Sequence, residues 1–195
     1  LDAEAERVAR IARGLLRLGR ADQAEVQQAD LGEIVRATLA LTQNAVHKEG
    51  IVVRVSVPPE LPSLRCRPYQ VQQVLLNLIN NARDALAARC PTRTEEKVIQ
   101  IVVGREMRDT RPWLTLAVDD NGDGMDPAVA AQIFDPFFTT KSATGGTGLG
   151  LSISHGIAEA HGGSLRLVHS HRRGSTFQVD FPCALDAAEA ERASA

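Results

Sequence analysis

The stretch NLINNARDAL, residues 77–86, lies inside an otherwise good amphipathic helix pattern running from about Pro68 to Ala88. It spends three asparagines where Glu, Lys or Gln would serve a wet face better. Asparagine costs roughly half a kcal/mol or more against Ala in a helix, so the three together forfeit about 1.5–2 kcal/mol of intrinsic propensity. On a wheel of about 100° per residue, Val71, Val74, Leu75, Leu78, Ala82, Ala85 and Leu86 share one side. Gln73, Asn77, Asn80, Asn81 and Asp84 share the other, at spacings of three and four. A solvated face is the plain explanation, yet the stripe lacks the Lys and Glu of an ordinary surface. Amide and carboxylate oxygens one turn apart are what a hard cation such as Mg²⁺ accepts, with phosphates and water completing its shell.

On either side of this helix the pattern alternates between strand and helix. Asp30 with Glu33 makes a capping-box-like start to a helix over about 31–48, stopped at Gly50. IVVRVSV (51–57) is β-branched and is ended by prolines at 58, 59 and 62. KVIQIVVGRE (97–106) and WLTLAVDD (113–120) read as two further strands. From Asn121 to Gly150 the chain is glycine-rich and irregular apart from a helical turn after Pro127. A loop that long in a compact domain is usually functional. A helix over about 149–160 ends at HGG, and SLRLVHS (164–170) and GSTFQVDFP (174–182) close the pattern as strands. Strands joined by short loops, with helices between them, predict an α+β two-layer sandwich. One face of a mixed, mainly antiparallel sheet would be covered by three helices.

The remaining segments are simpler. Residues 1–20 carry Val8, Ile11, Leu15 and Leu18 at spacings of three, four and three, the narrow seam of a helix hairpin or coiled coil. Residues 21–29 read as a polar linker, 30–183 as the folded domain and 184–195 as a tail without pattern. Leu1 falls in mid-pattern, which predicts a piece of something longer.

The 195 residues are 44% hydrophobic and 24% charged, with a formal net charge of −2. That suits one globular domain and gives no global basic excess for nucleic acid. No apolar run approaches the roughly 20 residues of a membrane span, and no signal peptide opens the sequence. Cys66, Cys90 and Cys183 are odd in number and form no CxxC, which points to a reducing, cytosolic setting.

Two loops carry candidate chemistry. VDDNGDGMD (118–126) starts like a calcium loop, with Asp119, Asn121 and Asp123 at positions one, three and five. Position twelve is Ala130 where a bidentate Glu is needed, and a strand enters where a helix should, so the EF-hand reading fails. A surface turn is one alternative. The other is Asp120 accepting from an exocyclic amine, with Gly122 and Gly124 letting the backbone close on a flat ring. GGTGLGLS (145–152) precedes a helix and is neither a Walker loop nor G-x-G-x-x-G. Glycine amides at a helix start still form a general anion site. Thr139, Thr140 and Lys141 just upstream add hydroxyl and ammonium donors for phosphate.

The order of an asparagine helix, a strand into DNGDG, then FDPFF, GTGLGLS and finally GST resembles the GHKL ATP-binding fold. It resembles in particular the catalytic domain of two-component sensor histidine kinases, over roughly residues 30–182. FDPFFTTK and NARDAL are most similar to kinases of the nitrogen-regulation type. The resemblance implies ATP with Mg²⁺: Asn81 as the metal-coordinating asparagine, with Asn77 one turn earlier and Asp84 on the same face. It implies Asp120 as the adenine-reading aspartate, flanked by Gly122 and Gly124, with Thr176 near the adenine pocket. Phe134, Phe137 and Phe138 would stand at one end of a lid, and Gly146, Thr147, Gly148, Leu149 and Gly150 at its other end. Thr140 and Lys141 would meet phosphate, and Asn77 and Lys141 would serve catalysis. Hydrolytic branches of that superfamily carry a Glu where this chain has Asn77, and an amide is no general base. Transfer to a side-chain acceptor is therefore expected over hydrolysis.

None of His47, His155, His161, His169 or His171 sits in an acceptor-like context. The expected acceptor is a histidine of a dimerisation hairpin of which residues 1–20 resemble the end. The implied partners are that hairpin, in a homodimer, and the Asp of a cognate response regulator, with no nucleic acid and no membrane contact by this portion. The expected setting is cytoplasmic, in a parent protein either soluble or membrane-anchored. Two rivals remain open at this point: a nucleotide-binding regulatory module without phosphotransfer, and a dimerising interaction domain.

Overall fold

The computed structural model describes residues 25–89, 94–109, 111–141, 146–171 and 173–183. The apolar seam of residues 1–20, Cys90 and the tail beyond 183 lie outside the described residues. Asp30 caps the first helix through its own carboxylate, which accepts from the Gly32 amide at 2.6 Å. That helix, α1, runs Leu31–Lys48, and Gly50 turns the chain out of it at φ +65°. Pro68 opens the asparagine helix, α2, over Pro68–Ala88, where its missing N–H removes no helical bond. A single turn, α3, spans Pro127–Ala130, and α4 spans Gly150–Ala160.

Five strands form the main sheet: β2 (Ile51–Ser56), β4 (Lys97–Arg108), β5 (Arg111–Asp120), β6 (Ser164–His171) and β7 (Gly174–Pro182). Their spatial order is β2-β4-β5-β7-β6, with β2 parallel to β4 and every other pair antiparallel. The parallel step needs a crossover, and α2 supplies it. α1, α2 and α4 lie side by side with α2 in the middle, against the face that presents Ile99, Ile101, Leu114, Leu116, Phe177 and Val179. The mixed sheet under three helices is the expected α+β sandwich.

One short ribbon was not legible as strand. Gln27–Ala29 (β1), at the end of the stretch read as linker, pairs antiparallel with Leu64–Cys66 (β3). Three-residue strands carry too little alternation to register as a pattern, so the fold begins before residue 30. Cys66 and Cys183 are both buried, and burial pushes the Cys66 thiol up to about 11. Among the described residues no helix is long and apolar enough to cross a membrane.

Leu75 on α2 is fully buried, whereas Leu41 on α1 is 68% exposed. Leu75→Ala should lower unfolding free energy by roughly 2–5 kcal/mol in urea denaturation, and Leu41→Ala by less than about 0.5 kcal/mol.

Candidate functional site

A cleft of about 510 Å³ opens between α2, the end of β5, the start of β7, and the segment leading into α4. The three asparagines that single out α2 turn out to have three different employments. Asn77 does not line the cleft. Its Nδ2 donates to the Gly150 carbonyl and to Ser154 Oγ, each at 3.1 Å, and so bolts α2 to the first turn of α4. The expectation put Asn77 beside the metal site; the structure instead gives the amide's donors to a neighbouring helix. Asn80 accepts from Arg83 Nη1 at 3.1 Å, and Arg83 in turn pairs with Glu49 at the end of α1. That guanidinium holds the Glu49 carboxyl below its ordinary range. Only Asn81 lines the cleft.

Asn81 Nδ2 is buried with no hydrogen-bond partner, so the part of the amide left for the cleft is its oxygen. Leaving an amide N–H buried and unpaired costs about 1–3 kcal/mol. Among the described residues no three His, Cys, Asp or Glu side chains gather to hold a metal. A resident zinc is therefore a poor fit. A lone neutral oxygen fits a hard cation that arrives on phosphates and keeps several waters.

At the apolar end of the cleft stands Asp120, the last residue of β5 and only 4% exposed. Its Oδ1 accepts from the Gly122 amide at 2.8 Å, and the Ser175 amide donates to it from β7. Burial nevertheless pushes its pKa up to about 6, helped by the Asp119 charge and opposed by those two amides and by Lys141. Met125, Val129, Ile133, Leu151 and Phe177 give the cleft an apolar wall. An anionic acceptor beside such a wall suits a flat ring bearing an amine.

The expectation for Thr176 is off by one. β7 alternates, and Ser175, paired with Asp120, is buried and lines the cleft. Thr176 points to the other face of the sheet, where its hydroxyl donates to Asp119. Strand period decides this: neighbours on one strand never share a face.

The cleft is lined as well by Asp84, Phe138, Thr139, Thr140, Lys141, Gly146, Thr147, Gly148 and Gly150. Lys141 Nζ donates to Asp84 Oδ2 at 2.8 Å across the opening. Gly124 lines the cleft, while Gly122, Phe134 and Leu149 do not. Phe134 instead packs its ring 5.3 Å from that of His155, and the Phe137 side chain is exposed. The glycines at 124 and 148 are required by the protein itself. Gly124 sits at φ +70° and a Cβ there would lie 1.9 Å from the His171 carbonyl oxygen. Gly148 sits at φ +66°, 2.3 Å from the Phe137 backbone by the same construction, with its carbonyl accepting from the Phe137 amide. Gly150 is different: a Cβ there would touch only Asn77, at an ordinary 3.8 Å.

Against known families, residues 66–185 match the histidine kinase-, DNA gyrase B- and HSP90-like ATPase family. The chain belongs to that family. It is 34% identical to the two-component sensor PprA of Pseudomonas aeruginosa over 96% of this chain and 20% of that protein. It is 31% identical to the sensor histidine kinase ZraS of Escherichia coli, over 92% of this chain and 36% of the relative. The chain thus spans about a fifth to a third of the length of these curated relatives. Among solved structures it resembles full-length ShkA in complex with AMPPNP (TM-score 0.69, 26% identity, 86% of this chain and 33% of that one). It also resembles the catalytic domain of the histidine kinase ThkA (TM-score 0.66, 28% identity, 82% and 96%). The resemblance in the sequence and the mixed sheet under three helices are those of this ATPase family.

Within that family fold the residues that sequence reasoning missed are Ser175 and the apolar wall. Ser175 carried a signal, since counting back in twos from the core residue Phe177 reaches it. Met125 and Ile133 lie in irregular chain where no periodicity reports which way a side chain faces.

The raised pKa of Asp120 has a definite sign for stability. Below about pH 4 both folded and unfolded chains hold the proton; between 4 and 6 only the folded one does. The favourable contribution is therefore lost as pH rises through 6, amounting to about 3 kcal/mol at pH 7. Asp120→Asn removes this titration. Its stability relative to wild type should climb between pH 4 and pH 7 in paired thermal melts, then level off; parallel profiles would refute the assignment.

Proposed function

We propose that this chain is the ATP-binding catalytic portion of a two-component sensor histidine kinase. The observation that carries the reading is the make-up of the cleft: a buried, hydrogen-bonded carboxylate with apolar side chains forms one part of its lining, and Lys141 with the α4 start another. The first part would read adenine, with Asp120 accepting from the exocyclic amine and the Ser175 hydroxyl beside it. The second would hold the phosphates, through Lys141, Thr140 and the backbone amides around Gly148 and Gly150. That ShkA is described in complex with AMPPNP supports a nucleotide here. That ThkA is described in complex with the response regulator TrrA supports a response regulator as the downstream partner.

Asn81 would offer its oxygen to Mg²⁺ carried on the triphosphate, and the metal would supply charge neutralisation between the phosphoryl groups. This chain's own contribution is positioning. Lys141 and the loop amides orient the terminal phosphate, and the apolar wall excludes water from the base end. No described carboxylate stands where the hydrolytic branches keep their base, because Asn77 occupies that place and donates to α4. The acceptor would be an imidazole of a dimerisation hairpin, with residues 1–20 as the end of its second helix. His161 is a poor candidate, since Nδ1 lies 2.8 Å from the Ile157 carbonyl and Nε2 accepts from the Arg67 amide at 3.0 Å.

Calorimetric titration with AMPPNP, with and without Mg²⁺, tests the reading. Wild type should bind in the micromolar range, Asp120→Asn at least about tenfold more weakly, and Asn81→Ala without Mg²⁺ dependence. Gly150→Ala should leave the fold as stable as wild type, since helix starts accept Ala readily, while weakening the analogue severalfold. A wild type that binds no nucleotide overturns the proposal.

A further inference from the structure

The ion pair across the mouth of the cleft suggests how it distinguishes nucleotides. Asp84 stands on α2 close to Asn81, and Lys141 stands on the opposite wall. The backbone of Lys141 is tied down on both sides: its amide donates to Thr139 Oγ1 at 3.0 Å, and its carbonyl accepts from the Gly146 amide at 3.0 Å. Gly146 packs so closely on the lysine stem that a Cβ there would lie 2.9 Å from the Lys141 Cβ. The ammonium end of the side chain is what reaches Asp84. Its bond to Asp84 is an exposed one, the two side chains being 35% and 53% accessible. Exposed pairs of this kind are weak, and a terminal phosphate bears more charge than a carboxylate and accepts more strongly.

We propose that Asp84 and the terminal phosphate of a nucleoside triphosphate compete for the Lys141 ammonium, making Asp84 a determinant of the preference for triphosphate over diphosphate. The inference rests on the nucleotide reading given above. In the nucleotide-free chain the lysine is held by Asp84. A triphosphate draws it away, and part of its binding is offset by breaking that pair. A diphosphate lacks the group that competes, so the pair persists beside it.

The test is calorimetry with AMPPNP and with ADP on wild type, Asp84→Asn, Lys141→Ala and the double variant, each first matched for thermal unfolding. Asp84→Asn should raise the AMPPNP-to-ADP affinity ratio about threefold, the scale of an exposed ion pair. In the Lys141→Ala background the same substitution should leave the ratio unchanged. A ratio unmoved by Asp84→Asn, a rise that persists without Lys141, or weaker AMPPNP binding in Asp84→Asn would each overturn the exchange while leaving the nucleotide site intact. Failure of wild type to bind either nucleotide would overturn the nucleotide reading itself.

Discussion

Two hydrogen bonds from one amide set where the walls of the cleft stand. Asn77 Nδ2 reaches the Gly150 carbonyl and Ser154 Oγ, and Ser154 Oγ itself donates to that carbonyl at 2.9 Å. This small triangle joins the helix that carries Asn81 to the helix start that closes the other side. At the far end of the same pair of helices, His161 Nε2 accepts from the amide of Arg67, the N-cap residue of α2, whose side chain makes no capping bond. α4 is thus pinned to α2 at both ends, and the sheet beneath them, buried through Ile99, Leu116 and Val179, supplies the floor. Loosening either pin would shift one wall of the cleft against the other.

The electrostatics follow from that frame. A carboxylate buried at the end of a strand is unfavourable unless amides meet it, and here one comes from the turn at Gly122 and one from β7. Their help is partial, since the carboxyl still holds its proton to about pH 6. Other groups of the lining are exposed, with Lys141 and Asp84 in reach of water. The site therefore combines a rigid, poorly hydrated part with a wet, adjustable one. That division fits recognition of a flat base and handling of a charged, reacting phosphate chain.

Much of this was legible in the residues. Asp30 and Pro68 mark helix starts by chemistry that does not depend on tertiary context, and α1 and α2 begin where those residues predict. β7 likewise spans the stretch its alternation announces. The asparagine stripe was legible as an anomaly but not as three separate roles. Helical spacing gives Asn77, Asn80 and Asn81 similar directions, and only the packing of α4 on one flank and Arg83 with Glu49 on another divides them. Thr176 was misplaced because motif order ranks residues along the chain, whereas the pleat decides which one faces inward. The β1–β3 ribbon escaped notice because two three-residue strands announce themselves only through each other.

The glycines leave a consequence for how such chains drift. Gly124 and Gly148 are held by the protein's own backbone, at positive φ and within 2.5 Å of atoms that a side chain would strike. A descendant that lost all use for its ligand would still be obliged to keep them in order to fold. Gly150 has room for a methyl group and no such obligation. In a lineage sliding toward a silent scaffold, the first two would persist as fossils of architecture. The third would be free to change, so position 150 is the better witness to whether the cleft is still in service.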